Sequence, residues 1–100
     1  MTDLPAVVRA EKQFEIRLGD EVAFAEYYVK GDSIIFPHTV VPEAFAGQGV
    51  GKRLVEAGLA YAKEQGLWVR PHCPFFKGYL TKHPELHELV HPDERAALVA

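Results

Sequence analysis

The stretch Gly47-Gln48-Gly49-Val50-Gly51 divides this chain into two halves with different hydrophobic periods, and it constrains the fold more than any other feature. Before it, apolar and polar residues alternate with the period of a strand; after it, apolar residues recur at helical spacing. Three glycines at such a border let the backbone turn tightly and approach a ligand without a Cβ in the way. The free N–H groups of the first helical turn then face an anion, with the positive end of the helix dipole behind them. A phosphate-bearing cofactor is one reading; a plain flexible turn before a helix is the other. The dinucleotide fingerprint uses a different glycine spacing. A P-loop would follow its lysine with Ser or Thr for magnesium, and although Gly47 sits five positions before Lys52, Arg53 stands in the hydroxyl position. The pattern argues against an ATPase.

One hundred residues are one small domain, with room for a single core and one cofactor site. No run approaches the roughly 18 apolar residues of a membrane span, so no membrane partner is expected. The start Met1-Thr2-Asp3-Leu4-Pro5 has neither a basic leader nor an apolar core segment, and cytoplasmic residence is expected. The single cysteine, Cys73, leaves no internal disulfide framework and fits a reducing compartment. A net charge of −3 with no lysine or arginine block argues against nucleic acid as a partner. A monomer or weak dimer is expected.

Phe14-Glu15-Ile16-Arg17-Leu18 alternates as a strand, and Gly19-Asp20 suits a hairpin turn. Glu21 to Val29 returns, with Ala23, Ala25, Tyr27 and Val29 on one face and Val22, Phe24, Glu26 and Tyr28 on the other. After Lys30-Gly31-Asp32, Ser33 to Val41 forms a third strand, at an edge or bulged at Pro37. These three strands make an antiparallel meander. The following helix places Val50, Leu54, Gly58, Tyr61 and Ala62 on one side and Lys52, Arg53, Glu56, Lys63 and Glu64 on the other, stopping at Gln65-Gly66. Gly58 costs the helix about 1 kcal/mol relative to Ala, which predicts a very close approach to the sheet there. Leu67 to Arg70 is a short strand ended by Pro71; the strand, helix, strand order sets it parallel to Ser33–Val41 through a right-handed crossover. Pro74 opens a helix carrying Phe75, Phe76, Tyr79, Leu80 and His83, and short helices start near Pro84 and Pro92. The fold class is α/β: a mixed sheet, with the antiparallel meander followed by a crossover helix and a parallel strand, and C-terminal helices. Residues 13–100 form the single domain and residues 1–12 a loosely attached N-terminal segment.

The combination of His38-Thr39-Val40-Val41-Pro42-Glu43-Ala44-Phe45, the glycine stretch, Val69-Arg70-Pro71-His72-Cys73-Pro74-Phe75 and His83-Pro84-Glu85 resembles the small, minimal GNAT-like acetyltransferases. The resemblance covers about residues 14–90. In that superfamily the phosphate loop reads Arg/Gln-x-x-Gly-x-Gly/Ala; Gly49 and Gly51 match its glycines, and Ala46 departs from it. The resemblance implies an acetyl-CoA site and no metal, with the pyrophosphate on the backbone of Gln48, Gly49, Val50, Gly51, Lys52 and Arg53. The pantetheine arm would lie between the parallel strands, along Val40 and Val41, with Cys73, Phe76 and Tyr79 completing the cofactor-binding set. The implied activity is transfer of acetyl from acetyl-CoA to an amine: a protein lysine, a terminal amine or a small polyamine. The alternative is a non-catalytic CoA-binding or protein-interaction module on the same fold.

Acetyl transfer needs a neutral nucleophile, polarisation of the thioester carbonyl and a proton for the leaving thiolate. Cys73 stands just past a strand at a helix start, where a dipole favours a nucleophilic thiol. It is the catalytic candidate that the resemblance implies, as acetyl-accepting nucleophile or as lining for the cofactor sulfur; an inert core cysteine is the competing reading. His38 shares strand register with Ile34, Phe36 and Val40 and is the candidate general base, or else a hydrogen-bonded structural histidine. His72 ranks below it, since neighbouring strand residues point apart. His83, His87 and His91 are spaced by four, but Pro84 and Pro92 argue against one continuous metal-binding helix. The tyrosine that larger family members use as an acid falls here on Leu80, beside Tyr79.

Overall fold

The period-two half of the chain folds as antiparallel hairpins and the helical half packs over them. The computed structural model describes residues 6–45 and 47–98, so Met1–Pro5, Ala46 and Val99–Ala100 lie outside the described residues. In chain order the elements are β1 (Val8–Arg9), β2 (Gln13–Leu18), β3 (Glu21–Glu26), β4 (Tyr28–Lys30), β5 (Ser33–Phe36) and β6 (Thr39–Val40), then a 3-10 turn at Glu43–Phe45. There follow α1 (Val50–Gln65), β7 (Trp68–Pro71), α2 (Pro74–Thr81), a 3-10 helix Pro84–Leu89 and α3 (Pro92–Arg95). Strands β1, β2, β3 and β6 form an antiparallel sheet in that order; β4, β5 and β7 form a second, with β4 antiparallel and β7 parallel to β5. The parallel crossover strand is therefore present as the strand, helix, strand order predicts.

Two of the expected strands are each divided between the sheets. Glu21–Val29 breaks at Tyr27, whose backbone N–H donates to Lys12 O (3.0 Å) and whose ring turns inward against Phe14 and Tyr61. Val29 is consequently exposed rather than on the face of Ala23 and Ala25. Ser33–Val41 breaks at Pro37-His38, where proline has no N–H for a ladder, and resumes as β6 in the other sheet. The two breaks meet: Glu26 N–H donates to His38 O at 2.8 Å. The sheets part at this level.

Helix α1 starts at Gly49 and ends at Gly66, both in the left-handed region (φ 69° and 67°), with Gly66 N–H closing the last turn on Ala62 O and Lys63 O. Its buried face holds Val50, Leu54, Gly58 and Ala62 as the pattern predicts, and also Gly51, Val55 and Leu59; Tyr61 packs at the margin. This face meets Phe14, Ile16, Ala23, Ala25, Ile34, Phe36 and Val69 in one core. Gly58 sits against a stacked aromatic pair, Phe36 and Phe76, with ring centroids 4.1 Å apart. Beyond α2 the chain returns along the outer edge of β7, where His91 N–H donates to Val69 O (2.9 Å). Among the described residues no helix is long and apolar enough to cross a membrane.

Candidate active site

Because β7 runs parallel to β5, their carboxyl ends finish at the same level, Phe36 opposite Pro71. One more backbone bond follows, from Cys73 N–H to Phe36 O at 3.0 Å, and Cys73 then opens α2 with extended backbone while Pro74 takes the first helical position. Strand alternation turns Val69, Pro71 and Cys73 toward the helices, and Cys73 is buried with its Sγ 3.1 Å from Thr39 Oγ1. Thr39 reaches it from the core face of β6, in register with Ala25. Sequence reasoning missed Thr39, since only the register of a non-local parallel strand brings position 39 to position 73.

His38 does not share a face with Ile34 and Phe36. It lies in the break that Pro37 causes and is exposed, its ring centroid 6.5 Å from that of Phe24. His72 does point away from Cys73, and its Nε2 lies 3.2 Å from Glu94 Oε2. Glu94 also accepts from Arg70 Nη1 (3.0 Å), and Arg70 Nε donates to Ser33 Oγ (3.3 Å). Burial pushes the Glu94 carboxyl up, but the hydrogen bonds from His72 and Arg70 and their positive charge outweigh it and hold Glu94 below the usual carboxylate range. A carboxyl depressed by folding adds stability above its unfolded value, about 4.3, that is lost as pH falls through the lower folded value. Urea unfolding of Glu94→Gln between pH 6 and pH 3 is therefore expected to show a shallower loss of stability than the parent. His83, His87 and His91 have separate partners: Glu85, Leu80 O, and the Asp93 N–H, respectively.

The glycine stretch opens α1 without a side-chain cap, and the first helical bond runs from Arg53 N–H to Gly49 O (3.1 Å). Gly47 and Gly49 need positive φ (76° and 69°), and among the described residues a Cβ on either would meet only open space. Gly51 is glycine for another reason: a Cβ there would lie 2.6 Å from the exposed ring of Phe75. Gln48 Nε2 donates to Ala44 O (3.2 Å), leaving its Oε1 buried and without a partner among the described residues. A cleft of about 310 Å³ opens between the first turn of α1 and α2, edged by Gly51, Lys52, Phe75, Tyr79, Lys82 and His83. Tyr79 stacks on His83 (4.2 Å) and donates to Glu56 Oε2 (3.2 Å); its burial, and then the Glu56 carboxylate, raise its pKa and keep the hydroxyl protonated. Val40 and Val41 are half-buried where the sheets part. Phe76 is in the closed core on Phe36, not on the cleft, and Leu80 is fully buried.

A sheet pair parting beside a glycine-opened helix, with a parallel strand delivering a buried cysteine to the same level, is a mixed α/β architecture of the GNAT type. A family model described as GCN5-related N-acetyl-transferase matches residues 13–89, and the chain belongs to that family. The chain is 30% identical over 79 residues to Protein NATD1 of Xenopus tropicalis, covering 76% of this chain and 72% of that protein. It is 30% identical over 86 residues to Protein NATD1 of Gallus gallus (83% and 78%), and 30% identical over 79 residues to that of Homo sapiens (76% and 70%).

Proposed function

We propose that the chain binds acetyl-CoA and transfers its acetyl group to an amine. The observation that carries this reading is the uncapped start of α1 beside the level where the sheets part, with Lys52 in its first turn. A cation near the positive end of a helix is unfavourable unless an anion is present, and a pyrophosphate supplies one. The backbone of Gln48 to Arg53 would hold it, with Lys82 and His83 across the cleft. Val40 and Val41 would flank the pantetheine arm, which brings an activated acetyl thioester toward Cys73. Cys73 then acts as acetyl acceptor or as lining for the thioester, with Thr39 able to exchange a hydrogen bond with its sulfur. Tyr79 edges the cleft with its hydroxyl held protonated and donated to Glu56 Oε2. His38, exposed at the parting of the sheets, remains a candidate base on the solvent side. A cytoplasmic setting suits the reduced thiol.

A second reading is a CoA-binding module without catalysis, favoured by the fully buried Leu80 where larger relatives carry an acidic tyrosine. Saturating acetyl-CoA separates both from a protein that binds no CoA. At 100 times its dissociation constant it adds about 2.7 kcal/mol, a rise in Tm of roughly 10 °C or more for a domain of this size. An unchanged Tm sinks both readings. Given a shift, mass spectrometry of parent and Cys73→Ala with acetyl-CoA decides the role of the thiol: acetylation at Cys73 with turnover lost in the variant supports an acyl-enzyme, and unchanged turnover leaves it as lining.

A further inference from the structure

The chain leaves α2 through His83-Pro84-Glu85, and there it borders the same cleft as the start of α1. Phe75 meets Gly51 and Tyr79 meets Glu56, so α2 runs alongside α1 and sets Lys82 and His83 about two turns beyond Phe75. The cleft thus has cationic groups at two places, Lys52 in the first turn of α1 and Lys82 with His83 past the end of α2, and no carboxylate among its lining residues. His83 is fixed on three sides. Its backbone N–H donates to Leu80 O (3.1 Å), its ring stacks on Tyr79 with centroids 4.2 Å apart, and its Nδ1 lies 3.1 Å from Glu85 Oε2. Pro84 disfavours a helical backbone at His83, which leaves α2 at φ −131° and ψ 72°. A carboxylate only accepts, so Nδ1 carries the hydrogen. Nε2 has no partner among the described residues, and in the neutral ring it has no hydrogen to give.

We propose that Lys82 and His83 form a phosphomonoester subsite that receives the 3′-phosphate of CoA, and that His83 takes up a proton when this phosphate binds. The proposal rests on the acetyl-CoA reading. A pyrophosphate at the start of α1 answers Lys52 and the helix dipole but leaves the second group of cations unmatched. CoA carries a further phosphate a ribose away from its pyrophosphate, with about 1.5–2 negative charges at pH 7. Lys82 meets it with an ammonium. A phosphate dianion only accepts, so a proton from solvent goes onto His83 Nε2; the imidazolium then donates from Nδ1 to Glu85 and from Nε2 to the phosphate. The charged and titratable groups around the His83–Glu85 pair are His87 from the 3-10 helix, Lys82 and Tyr79 from α2, and Lys52 and Glu56 from α1, the last held by the Tyr79 hydroxyl. Glu85 and the incoming phosphate favour the imidazolium, and the two lysines oppose it until the phosphate neutralises them. The consequence is selection of the whole nucleotide thioester over dephospho-CoA and over the phosphopantetheine thioester of a carrier protein, both of which lack this phosphate.

Isothermal titration calorimetry of the whole chain with CoA and with 3′-dephospho-CoA tests it. At pH 7.5 CoA is expected to bind about 10- to 100-fold more tightly, the scale of one charge-assisted hydrogen bond or ion pair. Repeating the titrations in Tris and in HEPES, whose ionisation enthalpies differ, is expected to show net proton uptake with CoA and none with 3′-dephospho-CoA. His83→Gln, which keeps an amide donor but not the charge, is expected to abolish the uptake and reduce the preference. Lys82→Ala is expected to reduce the preference and keep the uptake. Equal affinity of the parent for the two nucleotides overturns the subsite and leaves the acetyl-CoA reading standing, whereas failure of both to bind overturns the two together. Proton uptake that persists in His83→Gln overturns the proposal. An equal loss of preference in Lys63→Ala, a cation outside the cleft, would be a response to net charge alone and overturns it as well.

Discussion

Phe76→Ala is expected to lose about 3–5 kcal/mol of stability, the largest effect of any single truncation considered. The Phe76 ring is fully buried and lies nearly parallel to Phe36, centroids 4.1 Å apart at 14°. Truncation removes the transfer free energy of the ring and leaves a void between α1, α2 and β5 that the surrounding backbone closes only in part. A domain of this size has a total stability of roughly 5–15 kcal/mol, so a Tm lower by roughly 12 °C or more is expected. Urea unfolding followed by far-UV circular dichroism measures it directly. A loss under about 1 kcal/mol would mean that this stack does not hold α2 to the sheet.

The second large effect comes from the glycine that faces the same rings. Gly58→Val is expected to destabilise by about 3 kcal/mol, at the upper end of what overpacking costs, although any residue other than proline improves on glycine in a helix interior by up to about 1 kcal/mol. Overpacking wins because a Cβ at position 58 would stand 2.8 Å from Phe36 Cε1 and 3.1 Å from Phe76 Cζ, and both rings are walled in. The two substitutions share one space, so their effects will not add. In the Phe76→Ala background the cost of Gly58→Val should fall by at least 1 kcal/mol, the new methyls occupying part of the void. Strict additivity in the double-mutant cycle would show that position 58 is strained by something other than the aromatic pair.

Gly58 also shows what a sequence can reveal. A helix-weakening glycine in the middle of an amphipathic run has a physical reason only if something approaches closely, and the structure supplies Phe36 and Phe76. The hairpin turn at Gly19, the ends of α1 and the opening of α2 at Pro74 were legible for the same kind of reason: each depends on local backbone chemistry that one or two residues fix. The parallel pairing of β7 with β5 followed from the order of elements and chain connectivity. Pro37 marked a fault in its strand, yet a missing donor does not say that the chain will cross to another sheet, and so His38 was placed on the wrong face. The break at Tyr27 had no warning, because its bonds run to Ala10 and Lys12, residues whose pairing no local pattern encodes.

The candidate site divides in the same way. The glycine stretch and the position of Cys73 at a helix start were determined by the sequence, since dihedral freedom and capping are properties of neighbouring residues. The contact between Cys73 and Thr39, the ring of Phe75 over Gly51, and the linked side chains of Ser33, Arg70, His72 and Glu94 were decided only by the tertiary structure. Their partners are separated by 34, 24, 37, 24 and 22 positions along the chain for the pairs Thr39–Cys73, Gly51–Phe75, Ser33–Arg70, Arg70–Glu94 and His72–Glu94. Such meetings depend on strand register and on where α3 docks along β7, and these are set by burial of the whole core rather than by any stretch of residues.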